Sequence, residues 1–380
     1  MPYLTRKGIL SIAIAVLLMS GAGFLYGTTS VAPRTTTISS TTTITKSTTL
    51  TETSTTVSTA TWTETTYLPT PSTGQPSSWN RTTNYPLNTS GLSCVASGGF
   101  VYCVGGYNET ARESGDPNLF VNRTFYAPLS SIGVGKWMRT TDYPVQLYQQ
   151  SCIAKANYIY CLGGVVALGG QRGGAVGDVY YASLSPSGIG PWKQTTAYPY
   201  PTLPHCMSDL SYIYCVSPHY NGAVFTDTGD SYFAHLSSLG LGNWTASSRL
   251  PSYPSACTVS SGYAYCTGGA SCPPPGPCTS PSYFAPLSPE GMGVWAQTSQ
   301  LPTSSLGLFV AASSYGYFFG GQGKLFFASL SSNGVGPWTT TSASLGDPTS
   351  CVSNGPYLYC LVEPPLPDLS PDNVYITKIG

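Results

Sequence analysis

Residues 151–164 read SCIAKANYIYCLGG, and residues 179–192 read VYYASLSPSGIGPW. In the first stretch Cys152 and Cys161 stand nine apart around Ala156-Asn157. A two-residue turn at Ala156-Asn157 pairs residue 155 with 158 and, counting outward, 152 with 161. That partnership falls on a non-hydrogen-bonded pair, where side chains approach most closely and a disulfide is tolerated. The stretch therefore predicts a tight hairpin held by its own disulfide. The second stretch predicts a third strand carrying Tyr180-Tyr181, a Gly-x-Gly turn, and a fourth strand at Trp192.

Working outward, the same unit recurs six times. Trp stands at 79, 137, 192, 244, 295 and 338. An aromatic lies 11 residues before Trp at Tyr126, Tyr181, Phe233, Phe284 and Phe327. Pro lies 7 residues after it at Pro86, Pro144, Pro199, Pro251 and Pro302. Cysteines nine apart follow in five units: Cys94 with Cys103, Cys152 with Cys161, Cys206 with Cys215, Cys257 with Cys266, and Cys351 with Cys360. Each of these pairs is expected to form a disulfide. Phe309 and Phe318 stand in their place in the fifth unit. There an aromatic cross-strand pair is expected to replace the covalent link. Gly98-Gly99 and Ser261-Gly262 occupy the same turn positions as Ala156-Asn157.

Gly-Gly, then an aromatic, then Trp resembles the kelch repeat, over residues 79–380. Gly-Gly stands at 105–106, 163–164, 268–269 and 320–321 and is missing after Cys215 and Cys360. The resemblance implies an all-β, six-bladed kelch-type β-propeller. Trp79 has no aromatic strand before it, and the last unit has no Trp after Tyr375. The strand at Trp79 is therefore expected to complete the last blade, which closes the ring and protects the sheet edges.

Composition agrees. The 380 residues include 42 Gly, 32 Pro and 28 Tyr, with 15 basic and 15 acidic side chains. Short strands and tight turns suit such a chain. A nucleic-acid partner is not expected, because no basic cluster exists to meet phosphates. Twelve Cys suggest disulfides and an oxidising compartment, with Cys272 and Cys278 closing a Pro-rich loop. Their spacing is not that of a zinc site, and no His is interleaved. Sequons at Asn80, Asn88, Asn108, Asn122 and Asn243 are compatible with a glycosylated surface.

The first segment, residues 1–26, places Arg6-Lys7 before a 19-residue uncharged run from Gly8 to Tyr26. That length spans a bilayer, and the preceding charge puts the N-terminus inside and the rest outside. The expectation is a single-pass signal anchor. A cleaved signal peptide, with Ser20-Gly21-Ala22 as its site, and a pilin-like leader cut at Lys7-Gly8 are the competing readings. Residues 27–78, rich in Thr and Ser, read as a glycosylated stalk. Within them, Trp62 to Pro69 copies the repeat spacing without strands around it.

From the second Cys (or Phe318) to the third-strand aromatic the distances are 23, 20, 18, 18, 9 and 15 residues. Long insertions thus lie between second and third strands and are expected on one face. Nine of the thirteen acidic residues after the stalk fall in them. Candidate ligand-binding residues there and beside them are Arg112, Arg172, Tyr198, Tyr200, His219, Tyr220, Asp227, Asp230, Glu363 and Asp368. Tyr107 and Tyr148 are further aromatics read as lying outside the repeat, whereas the repeated Trp and Tyr are read as packing. No catalytic constellation, metal site or cofactor motif is visible. Copper-dependent sugar oxidases of the kelch type need His and Tyr ligands, and only His205, His219 and His235 are present. The function expected is a membrane-tethered recognition or adhesion module that binds a glycan or protein at the cell surface. A carbohydrate-active enzyme and a filament subunit are the alternatives.

Overall fold

The structure, a computed structural model, describes residues 73–114, 119–168, 171–220, 225–269, 280–304, 306–320, 323–341, 345–364, 368 and 370–380. The apolar run, the stalk to residue 72, Trp62 and the loop expected to join Cys272 with Cys278 lie outside them. The described chain is all-β, with one short helix at Glu109–Ser114.

Six hairpins follow the register expected from the cysteine spacing. Cys152 faces Cys161, Lys155 faces Tyr158, and the turn residues Ala156 and Asn157 have φ of 49° and 62°. Both central residues are left-handed, which matches the twist of the flanking strands. Five disulfides span these hairpins, and they are the five expected from the spacing. Cys94 joins Cys103 in the first hairpin, Cys152 joins Cys161 in the second, and Cys206 joins Cys215 in the third. Cys257 joins Cys266 in the fourth, and Cys351 joins Cys360 in the sixth. Each pair has its Cα atoms 4.1 Å apart. In every pair the second cysteine is wholly buried: Cys103, Cys161, Cys215, Cys266 and Cys360 all lie inside the ring. In the fifth hairpin Phe309 faces Phe318, with ring centroids 6.5 Å apart.

Each hairpin extends into an antiparallel sheet of its own. The second sheet runs Ser151–Lys155, Tyr158–Leu162, Val179–Ser185 and then Lys193–Gln194. The sixth sheet takes its outer strand from the beginning of the domain. Asn80–Arg81 pairs with Asn373–Lys378, Asn80 opposite Ile376. The pairing starts before Trp79, since Gly74 N–H donates to Gly380 O and Ser77 N–H to Lys378 O.

The first strands of successive sheets touch one another, and the sixth touches the first. The core is accordingly six apolar clusters, one in each gap between neighbouring sheets. A closed ring of small sheets of this kind is consistent with a propeller.

Three repeated polar contacts join the sheets. The tyrosine before the second cysteine (or its Phe318 equivalent) reaches the next sheet in all six cases. Tyr102 donates to Ser185 O, Tyr160 to Ser237 O, Tyr214 to Ser288 O and Tyr265 to Ser331 O, while Tyr317 reaches Gly74 O and Tyr359 reaches Ser130 O. The Trp indole of sheets one to four donates backward, as Trp244 does to Thr196 O at 3.2 Å. A Thr or Ser hydroxyl also accepts from the residue after the first turn glycine, as Thr195 does from Leu241 N–H at 2.8 Å. This explains Gly240, with φ of 110°, where an added Cβ would lie 2.3 Å from the Thr195 hydroxyl.

Replacing Tyr214 with Phe removes one link of this belt and leaves Ser288 O without it. Thermal unfolding is expected to show a loss of about 1 kcal/mol. An unchanged midpoint would mean that solvent replaces the bond without cost.

Connections between second and third strands emerge at the end of the ring opposite the hairpin turns, beside those joining successive sheets. In the third sheet the described part of the insertion is built as strand. It prolongs the strands to Tyr212–Tyr220 and Phe225–Ser237, with a bulge between Pro218 and His219.

Candidate functional site

At the loop end, the prolonged strands of the third sheet bring together residues distant in sequence. The Asp230 carboxylate, 8% exposed, is the centre. Its Oδ2 lies 2.7 Å from His219 Nδ1 and accepts from Tyr200 OH at 3.1 Å. Its Oδ1 accepts from Arg249 Nε at 3.0 Å. Tyr200 OH also meets Ser217 Oγ at 2.8 Å and Pro218 O at 3.0 Å. Burial, then the neighbouring Asp230 charge, pushes the Tyr200 phenol above its ordinary pKa, so it stays a neutral donor. Arg249 remains more than half exposed, so the cluster presents a held guanidinium to solvent. A buried carboxylate with several donors is the arrangement that fixes such side chains in place.

Tyr198 sits beside this cluster but is only 4% exposed. Its hydroxyl meets Ser217 Oγ at 2.9 Å, and its ring stands edge-on to Trp244 at 4.9 Å. Tyr143 packs in the same way on Trp192 and Tyr85 on Trp137. Tyr198 therefore shares the place of Tyr85 and Tyr143, six residues after the first three domain Trp residues, and its ring is engaged in packing.

A second group lies where the first and sixth sheets meet. Arg112, on the helix Glu109–Ser114, pairs with Glu109 and Glu113, each at 2.7 Å. Glu109 is also bonded to Ser90. Glu363 lies near enough for its pKa to be raised, first by burial and then by Glu109. Asp372 is fully buried, and its carboxyl oxygens accept from Thr89 N–H and Oγ1, both at 3.2 Å. Asp368 is apart from this group, held below the usual carboxylate range by Ser370. Arg172 lies opposite Ala167 in a small extra hairpin, Tyr220 opposite Phe225, and Asp227 in the strand after it. Tyr107 and Tyr148 pack on each other and on Phe120.

Between these groups the ring opens into a cavity of about 520 Å³, whose lining includes Gln149, Gln150, His205, Tyr253, Leu306 and Ser350. None of its lining residues carries a formal charge at neutral pH. His205 stacks on Tyr253 with centroids 5.4 Å apart. Burial lowers its pKa to about 4, against a backbone bond to Pro254 that raises it, so the imidazole is neutral. Ser93, Ser151 and Ser350 each accept the backbone N–H of the following sheet's first cysteine. His205, Ala256 and Leu308 hold the corresponding places in the other three sheets and make the mouth asymmetric.

The sequence brought forward Tyr200, His219 and Asp230, which the fold assembles, and Arg112 with Glu363, which it also brings close. Arg249, Ser217, His205 and Tyr253 were missed. Arg249 had one available signal, its place beside Leu250, where Tyr stands in the first three repeats. Among the described residues no group of three or more His, Cys, Asp or Glu is arranged to hold a metal ion. No described helix is long and apolar enough to cross a membrane.

The fold and the five disulfides of the described hairpins define an all-β protein of a kind consistent with extracellular life. A solved structure titled "Structure of YjhT" matches it with a TM-score of 0.55 at 11% identity, covering 77% of this chain and 95% of that one. At that identity the likeness concerns the fold alone. No family model matches the sequence, and no curated protein sequence matches it.

Proposed function

We propose that this chain is a six-bladed kelch-type propeller, tethered outside the cell by residues 1–26, whose loop end recognises a glycan or a protein. The observation that carries the reading is the Asp230 cluster. It fixes an exposed Arg249, on an Asp230 held in turn by Tyr200, beside a cavity mouth lined by uncharged polar and aromatic groups. Preorganised donors next to aromatic surface suit hydroxyl-rich or acidic ligands. The described parts of the long insertions leave the sheets at the same end, as recognition loops on a rigid scaffold do.

The test is a glycan array probed with the oxidised full chain, followed by Arg249→Ala and Tyr200→Phe. Each variant is expected to weaken binding about tenfold or more. Retained binding in both would remove this site from the proposal. The His219–Asp230 pair supports a second reading, because a carboxylate-oriented imidazole can act as a general base. Turnover of an arrayed saccharide that is lost in His219→Ala would replace recognition by catalysis.

A further inference from the structure

We propose that the folded chain carries one N-linked glycan, on Asn243, and none on its other four sequons. The idea rests on the extracellular placement proposed above. An enzyme that modifies a folded sequon must reach the Asn amide nitrogen and read the hydroxyl two residues on. The structure separates the five sequons on both requirements.

Asn88 is 4% exposed. Its third position, Ser90, is bonded to Glu109. Asn122 uses its Nδ2 to donate to Tyr143 O at 3.1 Å, and Thr124 is fully buried. Asn108 is half-buried, and its Oδ1 accepts Ala111 N–H at the start of the helix Glu109–Ser114. Its sequon is thereby wound into a helical turn. Asn80 is exposed, but Thr82 is committed. The Thr82 hydroxyl donates to Val134 O and accepts Val134 N–H, forming one of the contacts that join neighbouring sheets.

Asn243-Trp244-Thr245 differs from all four. Asn243 and Thr245 are both exposed, and only Trp244 between them turns inward. The segment follows the Gly240–Leu241 turn strand and opens the outer strand Thr245–Ala246, and among the described residues that strand pairs with Phe225–Ser237 alone. Its backbone is extended and accessible from the rim of the ring.

In the reaction, Asn243 Nδ2 bonds to the anomeric carbon of a polyprenyl-phosphate-linked saccharide. The bond from that carbon to the phosphate oxygen breaks, and the amide proton leaves with the released phosphate. The position has a consequence for the loop end. Gly242 N–H donates to His235 O, which lies near the Leu210-Ser211 turn at the far end of the third sheet from Asp230. A glycan there leaves the Asp230 cluster uncovered.

The experiment is peptide mapping by mass spectrometry of the full chain purified from the cells that make it. The Asn243 peptide is expected to carry a saccharide mass, and the Asn80, Asn88, Asn108 and Asn122 peptides are expected to be bare. In Asn243→Gln that mass should vanish with the unfolding temperature unchanged. A bare Asn243, or a glycan on any of the other four, overturns the proposal. Surface biotinylation of intact cells reports the extracellular placement separately, so the two ideas fail independently.

Discussion

Reduction of the hairpin disulfides is expected to lower the unfolding temperature by about 20 °C. Each described disulfide, from Cys94–Cys103 to Cys351–Cys360, joins residues nine apart, so each closes a loop of about ten residues. In the chain-entropy model such a loop contributes roughly 2–3 kcal/mol. Five of them add on the order of 10 kcal/mol, reduced where the open hairpins keep some structure. For a domain of this size a kilocalorie moves the midpoint by about 2 °C. The measurement is calorimetry of the oxidised and the reduced, thiol-blocked protein. A fall of under about 5 °C would show that the tyrosine belt and the inter-sheet cores hold the ring alone. The fifth sheet supplies an internal control. Phe309 and Phe318 occupy the staple position there, so hydrogen exchange in 307–320 should change least on reduction.

The repeat was legible because its units obey local rules. Cysteines nine apart around a two-residue turn admit one close register, and Cys152 opposite Cys161 follows from counting, as do Cys94 opposite Cys103 and Cys257 opposite Cys266. Closure by the strand at Asn80 was legible from the unpaired ends of the repeat. The links between sheets were less visible. Tyr214 reads as packing, and it does stack on Phe233, yet its hydroxyl bond to Ser288 spans 74 residues and no local pattern announces it. The site shows the same limit. His219 and Asp230 lie across one hairpin and could be paired from sequence. Arg249 reaches them from the following connection and Tyr200 from the preceding one. Tyr198 illustrates the reverse error. It reads, with Tyr200 on the other side of Pro199, as an aromatic outside the repeat, but spacing from Trp192 gives it the same place as Tyr85 and Tyr143.

The meeting of the first and sixth sheets makes the second large prediction. Asp372 is wholly buried there, and its pKa is pushed up to about 8, mainly by burial and further by the nearby Glu363 and Glu109. Bonds from Thr89 N–H and Oγ1 oppose the shift without cancelling it. Tyr85, also fully buried, adds no charge, since burial raises its own pKa far beyond neutrality. Arg112, the nearby cation, is held by Glu109 and Glu113. The folded carboxyl therefore keeps its proton to about pH 8, whereas the unfolded one releases it near its ordinary value of 3.8. Across that window the folded state binds more protons, so stability falls as pH rises. The full loss is a few kcal/mol, and it is reached once pH exceeds about 8. Asp372→Asn keeps an acceptor for Thr89 and removes the charge. Its midpoint should match the parent near pH 4 and exceed it by several degrees at about pH 8.5. Thermal unfolding of both proteins at about pH 4, 6 and 8.5 measures this. Parallel pH profiles would mean that water or a counter-ion reaches Asp372, and that this junction tolerates its charge.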